Sequence, residues 1–487
     1  ETVLLNSFSS DTFTNNFVLY LRDSWNVGPI PGLVINAGVR WEAQEIHGAD
    51  GSKQIGIYDN WAPRAGAVWD FTQKGFGKLF VNYGRFYQSI PLTINDRQFA
   101  GEGVFTGAEF SNCANAPLQP GGRSVPVPQA TGPGTCTLND LTLGNQNGGR
   151  YGNVMPGLQG MYMDELVAGL SYDVGWDLVL SASYIFRGLG NIVEDMSVDG
   201  GTNYIIANPG VKPDPARLAE LQADVDKLRS DMSVVGQENL LRAQARLDAY
   251  RAIETQFPKP RRQYQGLVLT AQKRLSNRLS LLANYTYARM LGNYPGTFSS
   301  NNGQNDPNIS SQFDLIDLLA NRNGPLPTDR PHNFKLSGFY DQPVAGDKGK
   351  LTIGLTFSLN SGRPIEVLGR HLLYGRREVY ILPRGAGGRT PMITQFDFHV
   401  GYEHKLSKQV ALSVFGDVVN LFNQQEVTNV DDEYTASTVS AIINGKLGDL
   451  KHLKQNNGTA VTFNSNYGQP TGYQRPLYMR FGARLSF

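Results

Sequence analysis

Along most of this chain apolar and polar residues alternate one for one, in segments of about ten residues separated by glycine, proline, asparagine and aspartate. The clearest segment is 476–487, PLYMRFGARLSF. There Leu477, Met479, Phe481, Ala483, Leu485 and Phe487 alternate with Tyr478, Arg480, Gly482, Arg484 and Ser486. A strand sends successive side chains to opposite faces, so the pattern predicts a strand with one hydrocarbon face and one polar face. The same period recurs at 16–27, 33–42, 61–71, 78–87, 165–173, 177–187, 263–274, 279–291, 332–341, 351–363, 394–403 and 410–421. With the last segment this makes about thirteen strands.

The links between these strands alternate in length. Short ones at 28–32, 72–77, 174–176, 275–278, 342–350 and 404–409 interleave with long ones at 43–60, 88–164, 188–262, 292–331, 364–393 and 422–475. Short turns on one side and long loops on the other are the habit of antiparallel transmembrane β-barrels, whose long loops face outward from the cell. A soluble sandwich has no reason to sort loop length by parity. Aromatic residues follow the same division: Trp41, Trp61, Tyr184, Tyr287 and Phe334 fall beside long loops, and Trp25, Trp69, Tyr172, Tyr340 and Phe487 fall beside short turns. Two belts of rings are what two membrane interfaces select. The polar register carries Arg40, Arg64, Asp70, Glu165, Arg187, Asp397, Glu403, Arg480 and Arg484. Two cations, Arg85 and Lys273, fall on the apolar register near strand ends, where they can snorkel to the interface.

One insertion follows a helical period instead. Asp214 with Pro215 makes a capped start. Leu218, Leu221, Val225 and Leu228 form one apolar stripe and Leu240, Ala243, Leu247 and Tyr250 another, with a turn near 233–236. The expectation is a helical hairpin over 213–255 inside an extracellular loop, packed as a lid rather than free as a coiled coil.

Composition narrows the class. The chain has 487 residues, 40% of them hydrophobic, a mean hydropathy of −0.31 and a net charge of +1. No apolar run is long enough for a transmembrane helix, and no basic excess marks a nucleic-acid binder. A barrel needs only every second residue apolar, so these values fit one. The first ten residues have neither a basic nor an apolar signal region, so any export signal is removed or lies upstream. Cys113 and Cys136 are the two cysteines. An oxidising compartment would join them in a disulfide that stabilises by roughly 3 kcal/mol, and two free thiols is the alternative. An odd strand count also matters, because single-chain bacterial barrels have even counts. The expectation is that upstream strands lie outside this chain; an undetected strand within 1–15 or a miscounted loop is the other explanation.

Taken in order, YLRDSW (20–25), GVRWE (38–42), APRAG (62–66), YGRFY (83–87), GNYPG (292–296), DRPHNFKLSG (329–338), SGRP (361–364), DVVNLFN (417–423) and the terminal Phe487 resemble the TonB-dependent outer-membrane transporters, in particular their Oar-like group. The resemblance implies a barrel of 22 strands, filled by an N-terminal plug and driven by the TonB–ExbB–ExbD energy-coupling complex through an N-terminal region. On that basis residues 1–487 are the C-terminal portion of an all-β barrel in the bacterial outer membrane. About nine strands and the plug lie elsewhere, and outer-membrane lipid and lipopolysaccharide surround the whole. The implied function is active transport of a large solute, a peptide or protein, since more than half of the chain falls in loops. A surface adhesion protein and a passive porin are the alternatives.

No enzyme, cofactor or nucleic-acid site emerges. GFGK at 75–78 and GDKGK at 346–350 lack phosphate-loop spacing and read as hairpin glycines. The six histidines are scattered. Two loop features could meet a ligand. Arg370, His371, Arg376, Arg377 and Arg384 form a basic run that could grip an anionic group, although a solvated face or contact with lipopolysaccharide phosphates is the more ordinary explanation. Asp306, Asn308 and Asp314 offer hard oxygen ligands for Ca²⁺ without matching a known loop template. Phe481, Leu485 and Phe487 mark the barrel-closing strand.

Overall fold

The computed structural model describes residues 11–49, 51–92, 154–198, 200–201, 204–212, 214–298, 310–346 and 348–487, with residues 95 and 99 and the backbone of four strands within 2–4 and 102–147. One antiparallel sheet dominates. It has fourteen strands, of which the two-residue Gly324–Pro325 pairs only with a neighbour's end and the remainder follow one another in chain order. We number these β1 (Phe13–Asn26), β2 (Leu33–His47), β3 (Lys53–Trp69), β4 (Gly77–Gln88), β5 (Met161–Asp173), β6 (Leu178–Leu189), β7 (Arg262–Ser276), β8 (Leu279–Gly292), β9 (His332–Val344), β10 (Gly349–Asn360), β11 (Ile393–Lys405), β12 (Ala411–Val419) and β13 (Tyr478–Ser486).

Register turns the alternation into two continuous faces. Trp69, Leu79, Leu170, Ala182, Leu269, Tyr285, Phe334 and Leu359 stand side by side from β3 to β10 as one apolar row. One residue along, and so on the opposite face, runs Lys78, Ser171, Ser181, Thr270, Asn284, Lys335, Ser358 and Gln395. Both rows hold their faces over eight strands because a slip of one residue would exchange them. The two cations on the apolar register are paired at the strand ends. Arg85 makes a two-pronged bond to Asp164 at 2.8 and 2.9 Å and lies over the Tyr162 ring, and Lys273 Nζ reaches the Trp176 carbonyl at 2.7 Å.

The short connections are 27–32, 70–76, 174–177, 277–278, 345–348 and 406–410, all at one end of the sheet. Gly32, at φ +81°, presses so close to the Asp70 carbonyl that a Cβ would lie 2.4 Å from it, so no other residue fits this turn. Asp70 then ties its own turn by accepting from the Thr72 hydroxyl and the Gly75 amide. One expectation needs correction. The stretch 43–60 is not a long loop, because β2 and β3 continue past the membrane register and are joined by residues 48–52. Ile46, Ile55 and Ile57 of this extension are buried among the outer loops.

The apolar cores lie at the long-connection end and not among the strand centres. The larger packs Ile46, Ile55, Met161, Ile192, Ile206, Tyr294 and Phe313 with two helices, α1 (Pro215–Leu228) and α2 (Val234–Gln256). Asp214 caps α1 by accepting from the Ala216 amide, and Ser233 caps α2 by accepting from the Gly236 amide. Leu221 and Val225 of α1 and Leu247, Tyr250 and Ile253 of α2 point into this core. A second core, Val367, Val379, Ile381, Leu382, Val439, Leu450 and Leu453, joins the connections after β10 and β12. The sheet itself is open. Its first and last strands, β1 and β13, do not pair with one another, and Leu19, Tyr20 and Leu21 of β1 are 68, 78 and 73% exposed, so both faces there are bare.

Candidate functional site

The chemistry of this chain is concentrated where the long loops meet one another above the sheet. Glu194, in the connection 190–261, is fully buried. It accepts from the Ser310 amide at 2.9 Å and the Ser310 hydroxyl at 3.2 Å, so it pins the connection 293–331. Asp314 of that second connection accepts from the Tyr374 hydroxyl at 2.6 Å, and Tyr374 also bonds Tyr204 at 2.7 Å, which brings in the connection 361–392. The carboxylates of Glu194, Asp195 and Asp314 come together with their oxygens within 4.8 Å of one another. Burial pushes the Glu194 carboxyl well above the usual carboxylate range, and the charges of Asp314 and Asp195 push it further. Asp314 is raised well above its ordinary value in the same way, by burial first and then by Asp195.

The basic run is largely occupied. Arg376 forms a fork on Glu433 at 2.7 and 2.5 Å, and Arg377 bonds Asp431 at 3.0 Å. Arg384 is buried over the Tyr380 ring, donating to the Arg322 carbonyl at 2.8 Å and to Gln312 at 3.2 Å. His371 is buried, lies 3.0 Å from Asp317 and accepts from the Leu373 and Tyr374 amides. Arg370 and Arg376 are exposed, and Arg370 has no side-chain hydrogen bond among the described residues. The structure therefore brings His371, Tyr374 and Asp314 to one junction and directs Arg376 and Arg377 to another, on Asp431 and Glu433. Asp306, Asn308 and Cys113 lie outside the described residues, and of Cys136 only the backbone is described, in the strand Thr135–Asn147. Glu194 and Asp195 escaped the sequence reading, although an acidic pair inside the apolar run Ile192, Val193, Met196 is the signal that marks them.

On the polar face of the sheet, His399, Asp417 and Arg480 stand in one row across β11, β12 and β13, with His399 Nδ1 and Arg480 Nε both on Asp417 at 2.7 and 2.8 Å. A cavity of about 460 Å³ lies there, lined also by Ser337, Thr356 and Asp397. At the other end a cavity of about 510 Å³ is lined by Arg22, Arg40, Arg64, Asn82 and Glu165. Phe481, Leu485 and Phe487 are exposed on β13 or just beyond it, at the open edge of the sheet.

An antiparallel meander with a hydrocarbon face, a charged opposite face and folded loops at one end defines an outer-membrane β-barrel protein. The family model described as the outer membrane beta barrel domain matches residues 47–371. The chain is 32% identical over 493 residues to the TonB-dependent transporter Oar of Myxococcus xanthus, a match that covers 96% of this chain and 42% of that protein. It belongs to the outer membrane beta barrel family, is similar along nearly its whole length to that TonB-dependent transporter, and spans less than half of that relative's length. Among solved structures it is similar to BauA, the ferric preacinetobactin receptor of Acinetobacter baumannii, at 10% identity and a TM-score of 0.47 over 98% of this chain and 43% of that one. It is also similar to the siderophore receptor PiuA of the same organism, at 11% identity and a TM-score of 0.43 over 97% of this chain and 44% of that one.

Proposed function

We propose that residues 1–487 are the C-terminal portion of the barrel of a TonB-dependent transporter that moves a large solute, a peptide or protein, across the outer membrane. Residues 213–255 act in it as a helical hairpin inserted in an outward loop. The observation that carries this reading is the 32% identity to a TonB-dependent transporter along 96% of the chain. The two unpaired edges support it. In hydrocarbon every free N–H and C=O costs several kcal/mol, so β1 and β13 require further strands to cover them. Energy coupling then comes from the TonB–ExbB–ExbD complex through a part of the protein outside this chain. The solute is large because the loops that meet it are large and build two apolar cores of their own. Within the basic run, Arg370 is the residue we assign to an anionic group on the solute, since the other four already have partners.

The test is transport in the native host with and without TonB, or with the proton gradient dissipated. Transfer of candidate peptides and secreted proteins is expected to fall to background, and unchanged transfer of every one of them overturns the proposal. Planar-bilayer recordings of the full protein separate the porin alternative, which requires a large steady conductance where a plugged transporter gives almost none.

A further inference from the structure

We propose that Glu194, Asp195 and Asp314 hold a divalent hard cation, calcium by the nature of its ligands, which ties the connection after β6 to the connection after β8. The ligand atoms are already gathered: one oxygen from each carboxylate lies within 4.8 Å of the others. Ligands of a calcium ion sit 2.3–2.6 Å from it, so any two on one ion are at most about 5 Å apart, and this cluster fits inside such a shell. All the donors are oxygen, with no histidine or cysteine in the group, which selects Ca²⁺ over zinc or copper.

A second observation from outside the three acids points to the same place. Tyr294, 2% exposed, turns its hydroxyl toward Glu194, close enough for that carboxylate to act on it but without the geometry of a fully formed hydrogen bond. Oδ1 of Asp314 is likewise buried without a partner, while Oδ2 is taken by Tyr374. Buried polar atoms in a folded protein are nearly always satisfied, and one cation at the centre of the carboxylates would satisfy both. The connections face outward, where calcium is abundant, so an affinity on the order of 10⁻⁴–10⁻³ M, as in extracellular modules, is enough for occupancy. Nothing in this inference depends on which solute is carried.

The experiment is equilibrium binding of radioactive calcium to the full protein in detergent after exhaustive chelation, comparing wild type with Glu194→Gln, with Asp314→Asn and with the double variant that carries both. Wild type is expected to hold one calcium more than the double variant, and each single variant to bind it about tenfold or more weakly. A wild type with no calcium beyond that of the double variant, or folded variants that bind as tightly, overturns the proposal. Should the variants not fold, limited proteolysis of the wild type decides. Millimolar calcium is expected to slow cleavage within 190–214 and 293–331 relative to chelator, and equal cleavage rates overturn the site.

Discussion

Arginine placed at Leu269 and at Thr270 tests which face of the sheet meets lipid. Leu269 lies midway between Arg262 and Ser276, the ends of β7, with Ala182 and Tyr285 beside it in the apolar row. A 15-residue strand rising about 3.3 Å per residue and tilted by about 40° spans roughly 35 Å along the membrane normal, so its centre sits at the midplane. Arginine on the lipid face there costs about 2–4 kcal/mol. Thr270 is the next residue, on the opposite face, and its hydroxyl donates to Asn284 at 2.7 Å. Thr270→Arg loses that bond, about 1 kcal/mol, and leaves its charge in the bore, so it should be the milder change by about 1–3 kcal/mol. The measurement is urea unfolding of the full transporter in phospholipid vesicles, followed by tryptophan fluorescence and by heat-dependent gel mobility. A Thr270→Arg penalty equal to or larger than that of Leu269→Arg would refute the assignment of faces.

Three further outcomes follow from the loops. Burial pushes the Glu366 carboxyl up to about 7, even with Arg384 nearby, and Asp432 up to about 6. The folded loops therefore bind these protons more tightly than the unfolded chain does. From these two groups, stability of the second core should be greatest below about pH 4 and be lost, by an amount on the order of 3 kcal/mol for each group, as pH rises through 6 and 7. Hydrogen exchange of residues 364–393 from pH 5 to 8 checks this, Glu366→Gln should flatten the profile, and a rise in stability with pH would contradict it. Asp329→Ala removes the buried partner of Arg389 and Arg289 and the acceptor of the Met290 amide. It should cost about 3–5 kcal/mol, read as faster proteolysis of the outer loops, with Asp329→Asn milder. Leu247→Ala hollows the larger core and should cost about 2–5 kcal/mol, whereas Leu241→Ala on the exposed side of α2 should be silent in the same hydrogen-exchange experiment.

The membrane strands were legible because lipid contact demands unbroken alternation. Each of the predicted segments overlaps one of the strands β1 to β13, and the two cations on the wrong face sit at strand ends. The extension of β2 and β3 was not legible. Residues 43–60 have only Ile46, Ile55 and Ile57 as large aliphatic groups, and these are buried by loops that the local sequence does not reveal. The loop junctions stayed hidden for the same reason. Ser310 lies 116 positions from Glu194, and the carboxylates holding Arg376 and Arg377 are 57 and 54 positions from them. Charge is visible in a sequence, but its partner is not, so a run destined for internal ion pairs looks the same as one awaiting a ligand.

The short motifs that carry the family resemblance gain a physical meaning from their location at the joints between strand and loop. Asp329 and Arg330 of DRPHNFKLSG receive Arg389 and donate to the Ser361 carbonyl, and Ser361 of SGRP in turn accepts from the His332 amide. In the same motif Arg363 reaches Asn429 and Asp432. Asn420 of DVVNLFN takes Asp397 on its amide and donates to the Arg475 carbonyl, while Asn423 accepts from the Leu477 amide at the approach to β13. Asn293 of GNYPG closes back on Arg261 in both directions. Such joints need a particular side chain, because a buried carboxylate or amide without its partner costs several kcal/mol, whereas the lipid face accepts any hydrocarbon and the loop surface accepts most polar groups. The outer cap is therefore mounted on the sheet by bonds too costly to open one at a time. Any opening of this cap then has to come from segments moving as whole bodies rather than from melting at the rim.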